Sequence, residues 1–225
     1  MKRLLSFLAA ALILLTGCSG SGDSDIDPSW EAYQQEQETE APPQEAETTY
    51  PESFSLAYHK DLTLDPITCG DGLQQDVASL LYEPLFQLDE NFDPIPLLCS
   101  SYSWDASGLV CTLDIRQDIT FHDGSALTAA DVAASLRRAA ASERYGYRLR
   151  QVTSIASNQS GQVVISLSVP NQGFISLLDI PVVKQGTESQ LVPTGTGPYL
   201  FVTGSDGNFL QVNSEWWQQK NLPVG

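Results

Sequence analysis

Histidine is almost missing from this chain, with two in 225 residues, and basic side chains are scarce, 11 against 28 acidic ones. The first shortage leaves little material for an imidazole-based metal centre or for a nucleophile activated by histidine. The second gives a formal net charge of −17, which repels polyanions and argues against a nucleic-acid partner. Cysteine is sparse too. Of the four present, three lie beyond the N-terminal region, Cys69, Cys99 and Cys111, and an odd set leaves at least one outside any intramolecular disulfide. Their spacing matches no zinc site, and no metal or cofactor is expected. What the chain does have is apolar content, 42%, enough for a core in one substantial domain or two small ones.

Lys2 and Arg3 precede the apolar run "LLSFLAAALILL" at residues 4–15, the charge-then-apolar order of an export signal. Such a run is shorter than the roughly 20 residues that span a bilayer. It ends in "LLTGC", which resembles the lipobox of bacterial lipoproteins, with the small Gly17 ahead of Cys18. The resemblance implies lipidation of Cys18 after removal of residues 1–17. The mature protein is then extracytoplasmic and held to a membrane by its acyl chains, in an envelope of one membrane or two. Residues 19–52 hold ten acidic side chains, four prolines and no Lys or Arg. This segment cannot bury enough apolar surface to offset its ordering entropy, so residues 18–52 read as a lipidated cysteine and a disordered acidic tether, on the order of 30 Å across as a coil.

Residues 53–225 alternate strand-like and helix-like segments, an α/β pattern. "FSLAYH" at 54–59 reads as a strand. Leu73, Val77, Leu80 and Leu81 trace a helical stripe that must end near Glu83, because Pro84 follows. "LFQLD" is a short strand, and "CSSYSWDASGLVC" a hairpin. A turn at 105–108 sets Trp104 opposite Leu109 and Tyr102 opposite Cys111, which leaves Cys99 out of register for a disulfide with Cys111. "LVCTLDIR" and "DITF" are strand-like, "VTSIAS" and "VVISLSV" form a second hairpin, a short helix covers 174–178, and "GPYLFVT" with "NFLQVN" forms a third hairpin.

The stretch "FHDGSALTAADVAASL", residues 121–136, places His122 beside Asp123. Asp123 and Gly124 are turn chemistry, Thr128 with Asp131 three residues on resembles a capping box, and His122 alternates with Phe121 at a strand end. The other histidine, His59, lies in a separate segment, and no G-x-S-x-G elbow accompanies either. No catalytic residue is named, and a secreted hydrolase remains an alternative without a site.

Three blocks carry a resemblance to a known family. In "LYEPLFQLDENFDPIPLLCSSYSWDASGLVCTLDIRQDITFHDGSALTAADVAASLRRA" the matching residues include Tyr82, Glu83, Trp104, Arg116, Phe121, Asp123, Gly124, Thr128 and Asp131; in "VPTGTGPYLF", Gly195, Gly197 and Tyr199; in "VNSEWW", Asn213 and Trp217. They resemble the family 5 extracellular solute-binding proteins, which capture peptides, nickel complexes or some sugars for ABC importers. The resemblance implies a periplasmic-binding-protein-like (type II) bilobed α/β fold that closes on its ligand. Here only the first lobe and a small inserted α/β domain, about residues 85–190, are expected, since members run to much greater length. The implied partners are a peptide or other small solute, an importer permease, and a membrane reached through the lipid anchor. A surface interaction module is the rival within the same truncated reading.

The resemblance also implies where ligand contacts arise, in the loop after the first strand and at an aromatic after the signature helix. Those places hold Lys60 and Thr63, and Tyr145 and Tyr147. A bland reading of the tyrosines, packing helix against hairpin, stands beside the functional one. Arg116, Phe121, Asp123, Gly124, Thr128 and Asp131, with Gly195, Gly197, Tyr199 and Trp217, are expected to be structural.

Overall fold

The computed structural model describes residues 54–205, 207–220 and 222; the expected export signal, Cys18 and acidic tether lie outside the described residues. Helix α1 (Gly72–Leu81) starts where the Asp71 carboxylate accepts from Gln74 N at 3.2 Å. A small antiparallel pair follows, β1 (Phe86–Leu88) with β2 (Pro94–Pro96). Then β3 (Cys99–Trp104) and β4 (Val110–Ile115) form a hairpin, helix α2 (Ala129–Ala141) crosses over, and β5 (Val152–Ser157) and β6 (Gln162–Leu167) form a second hairpin. The two hairpins join into one antiparallel sheet in the order β3-β4-β6-β5. A 3-10 turn at Phe174–Leu177 leads to the last hairpin, β7 (Tyr199–Gly204) and β8 (Gly207–Val212).

Alternation decides which face of the central sheet is buried. Cys111, Leu113 and Ile115 of β4 point inward, as do Val163, Ile165 and Leu167 of β6. The register sets Cys111 against Ile165 and Leu113 against Val163, so both patterns fall on one face. Helix α2 closes that core with Ala129, Val132, Ala133, Leu136 and Ala139, a stripe at helical spacing whose small members let the helix sit close. Cutting the fully buried Leu136 to Ala leaves a cavity costing about 2–5 kcal/mol. The helix start is a capping box: Thr128 N donates to Asp131 Oδ2 at 3.0 Å, and Asp131 N to Thr128 Oγ1 at 3.4 Å. Such a cap stabilises by about 1 kcal/mol. A second cluster joins α1 to β7 through Val77, Ala78, Leu81, Tyr82 and Tyr199.

Several expectations from the sequence need correction. Residues 54–59 form no strand; Tyr58 instead meets Phe201 edge-on at 5.9 Å. Leu73 is exposed on α1, and Gln74 takes the buried place, because the loop before the helix presents carbonyls that need a donor. "DITF" contributes only an isolated bridge, Thr120 to Ala126. The β3–β4 turn is longer than expected. The Asp105 carboxylate accepts from both Leu109 N and Val110 N at 3.0 Å, and Gly108 takes a φ of +68°. Trp104 therefore faces Cys111, and Cys99 faces Ile115. Cys69, Cys99 and Cys111 are all buried free thiols, and burial pushes those of Cys99 and Cys111 up to about 12.

Candidate functional site

Glu83 stands just past α1 and is 5% exposed. Its Oε2 accepts from Thr196 Oγ1 at 2.9 Å and from Trp217 Nε1 at 3.0 Å; its Oε1 accepts from Trp216 Nε1 at 3.0 Å and Gln218 Nε2 at 3.3 Å. Burial raises the carboxyl above its ordinary range, and these donors pull the other way. Around it the backbone packs tightly. Gly197 N donates to Leu81 O at 2.9 Å, and Tyr82 Oη to Pro193 O at 2.7 Å. A Cβ at Gly195 would stand 2.1 Å from Leu81 O, and one at Gly197 2.6 Å from Leu80 O, so only glycine fits there. Arg116 lies 5.0 Å from the centre of the Trp217 ring and donates from Nε to Leu97 O at 2.7 Å. The separate sequence blocks thus meet in one buried joint.

His122 belongs to that joint. Its backbone N donates to Gly195 O at 2.9 Å, and its Nε2 is 3.1 Å from Gly197 O. A carbonyl only accepts, so Nε2 carries the proton and the ring is complete as a neutral donor. Burial holds its pKa below the ordinary histidine value, while the Gly197 carbonyl and Asp123 act in the opposite sense. Asp123 pairs with Lys184 and Ser125, which pull its carboxyl down to about 2. The pair that resembled a catalytic dyad fastens residues 184–197 to a turn.

A cleft of about 400 Å³ opens between α1 and the turn at residues 142–150. Gln75 and Ser79 line it from α1, Arg144, Tyr145 and Arg148 from the turn, with Asp179 beside them. Ser142 shapes the turn, its O accepting from Gly146 N at 2.9 Å and its Oγ from Tyr145 N at 3.1 Å. A Cβ at Gly146 would lie 2.6 Å from Ser142 O. The Tyr145 ring is buried, with the Arg144 and Arg148 guanidinium groups 5.2 and 5.4 Å from its centre. Arg148 also pairs with Asp179 and donates to Leu177 O at 2.9 Å. Burial lowers the Arg148 pKa, Tyr145 raises it, and the like charge of Arg144 lowers it further.

The loop at residues 59–66 reaches the same cleft through Pro66. Gln74 holds it: Nε2 donates to His59 O at 3.1 Å and Leu62 O at 2.9 Å, and Oε1 accepts from His59 N at 2.7 Å. Arg138 pairs with the buried Asp65, whose other oxygen accepts from Ile67 N at 3.0 Å. A buried carboxylate without that partner would destabilise the loop strongly.

Residues 93–223 match the family model of the bacterial extracellular solute-binding proteins, family 5 (middle region). The chain belongs to this family. Among family 5 relatives, the glutathione-binding protein GsiB of Salmonella typhi is 33% identical over 171 residues, covering 70% of this chain and 33% of GsiB. The GsiB of Escherichia coli K12 is 33% identical over 170 residues, with 69% and 33% covered. NikZ from Campylobacter jejuni, solved with Ni(L-His), superposes with a TM-score of 0.57 at 25% identity, over 69% of this chain and 34% of NikZ. The oligopeptide-binding protein AppA from Bacillus subtilis, solved with a nonapeptide, gives 0.58 at 20%, over 73% and 36%. The chain spans about a third of the length of the curated relatives it matches. Its fold is the mixed α/β fold of type II periplasmic binding proteins, and the family is one of binding proteins rather than enzymes.

Against this family 5 background the four expected contact residues separate. Tyr145 lines the cleft, and its ring is buried in the core. Tyr147 is 76% exposed, with the Arg150 guanidinium 4.1 Å from its ring centre, and does not line the cleft. Lys60 is exposed on the loop that Gln74 holds. The Thr63 hydroxyl accepts from Asp65 N at 3.0 Å and donates to Leu191 O at 3.3 Å, so it shapes that loop. Sequence reasoning missed Gln74, Arg144 and Arg148. The run "ERYGYRLR" was the available signal, since it gathers three arginines in an acidic chain.

Proposed function

We propose that this chain belongs to a lipid-anchored extracytoplasmic solute-binding protein that hands a peptide or similar small solute to an ABC importer. The match to family 5 over residues 93–223 carries the reading, and the 33% identity to proteins named for glutathione binding directs it toward small peptides. The cleft beside Tyr145 is the proposed first-lobe part of the solute site, with Tyr145, Tyr147, Lys60 and Thr63 on the segments that border it. Its mixed polar and apolar lining suits an amide-rich ligand.

Titration of the full chain with glutathione and short peptides, followed by tryptophan fluorescence and calorimetry, tests the reading. Saturable binding of at least one of them is expected, and its loss when Ser79→Trp fills the cleft. A complete lack of binding, or binding indifferent to Ser79→Trp, overturns it. For the anchor, Cys18→Ser is expected to abolish incorporation of labelled fatty acid in the producing cell; labelling that persists overturns the anchor at Cys18.

A further inference from the structure

We infer that a cleft beside the β3–β4 turn is a second binding site, shaped for a neutral oligosaccharide. The cleft holds about 550 Å³ and shares no lining residue with the one between α1 and the 142–150 turn. Tyr102 and Trp104 wall it from β3, Asp105 and Ser107 from the turn, and Pro170 and Gln172 from the segment after β6. Tyr102 lies opposite Leu113 and Trp104 opposite Cys111, so both rings leave the strand on its core-facing side. Because β3 is an edge strand, no further strand covers them among the described residues. Tyr102 stays 41% exposed.

The walls are fixed before anything binds. Each ring is propped by a fully buried one: Phe86 meets Tyr102 edge-on at 5.8 Å, and Phe174 meets Trp104 edge-on at 6.3 Å. Asp105 accepts from Leu109 N and Val110 N at 3.0 Å and from Ser107 Oγ at 2.6 Å. Asn171 accepts from Gly173 N at 3.1 Å and donates to Gln151 Oε1 at 3.0 Å. Part of the ordering cost is therefore met in advance.

The chemistry of the lining selects the ligand class. Asp105 is the only charged group on it, and three donors already occupy that carboxylate, so an ionic ligand finds no free counter-charge to offset its desolvation. The Gln172 amide and the Tyr102 hydroxyl, by contrast, have no hydrogen-bond partner among the described residues. A pyranose ring suits both features. Its apolar C–H face lies against an aromatic ring, and its hydroxyls, each a donor and an acceptor, meet the amide, the phenol and the outer lone pairs of Asp105. The volume falls within the range of roughly 300–1,000 Å³ typical of small-ligand sites.

The test titrates the full chain with chitotriose, cellotriose, maltotriose and the charged trigalacturonate, followed by NMR. Saturable binding of at least one neutral trisaccharide is expected at millimolar concentration, with shifts at Tyr102, Trp104, Ser107 and Gln172. Trigalacturonate should bind at least about tenfold more weakly. Gln172→Ala should weaken the preferred neutral sugar about fivefold, and Tyr102→Ala should weaken it further; melting curves check that both variants fold, and the exposed Gln172 site carries the test if Tyr102→Ala does not. No binding by any neutral trisaccharide, equal binding of trigalacturonate, or an affinity unchanged in Gln172→Ala overturns the inference. Shifts confined to Ser79 and Tyr145 overturn it as well, because the sugar would then occupy the cleft beside α1.

Discussion

Replacing Glu83 tests the buried joint that ties the family's sequence blocks together. Two carboxylate oxygens receive a hydroxyl, two indole N–H groups and an amide. In Glu83→Gln the amide oxygen placed at Oε1 keeps Trp216 and Gln218, and the new NH2 can donate to Thr196, whose hydroxyl turns to accept. Trp217 N–H is only a donor; it loses the 3.0 Å acceptor at Oε2 and keeps the one at Oε1, 3.2 Å away. The weakened bond costs about 1 kcal/mol. Glu83→Ala strands all the donors at a 5% exposed place, and the cost rises to about 3–5 kcal/mol. At roughly 2–4 °C per kcal/mol for a domain of this size, the alanine variant melts about 10 °C lower. The pH profile separates charge from packing. Because burial raises the folded carboxyl above its unfolded value, its contribution to stability is fully present below the unfolded value and is lost as pH rises through the folded one. The stability difference between wild type and Glu83→Gln should therefore grow on acidification from neutral pH. Calorimetry and near-ultraviolet circular dichroism of the tryptophans provide the readout; an alanine variant within about 0.5 kcal/mol of wild type refutes the joint.

Gly195→Ala should prevent β7 from docking on α1, because the new Cβ would fall 2.1 Å from a backbone oxygen that cannot move aside; soluble protein with an unchanged melting temperature contradicts this. His122→Ala removes one of two donors to Gly197 O, leaving Asn213 Nδ2 at 3.2 Å, and should cost about 0.5–1.5 kcal/mol, measured by urea unfolding. Since burial depresses the His122 pKa, wild type should lose stability as pH falls from the ordinary histidine value through the folded one, and the alanine variant should lose less. Equal acid sensitivity of the two contradicts that assignment.

Much of the fold was legible because local signals agreed. The capping box at Thr128 and Asp131, the apolar spacing of α2 and the alternation in β4 and β6 each lead to the same element. Where local and tertiary demands compete, the sequence misleads. Leu73 fits an apolar stripe, yet Gln74 is buried because His59, Leu62 and Thr63 all bond its amide. "FSLAYH" is strand-like in composition, and composition alone supplies no ladder partner. The β3–β4 register depended on the Asp105 side chain bonding two backbone groups, which lengthens the turn. Tyr145 and Tyr147 are two residues apart and look alike, but the turn set by Ser142 sends one into the core and leaves the other in solvent. Glu83 was visible as part of a motif; its role was not, because its donors come from residues more than a hundred positions away.

The central proposal is that a peptide-like solute lies against α1 and the 142–150 turn. Mapping backbone amide shifts of the full chain on addition of glutathione and of short peptides addresses it directly. Saturating shifts at Gln75, Ser79, Arg144, Tyr145 and Arg148 are predicted, with none at the β3–β4 turn around Ser107. Shifts confined to that turn, or spread evenly over the surface without saturation, would contradict it.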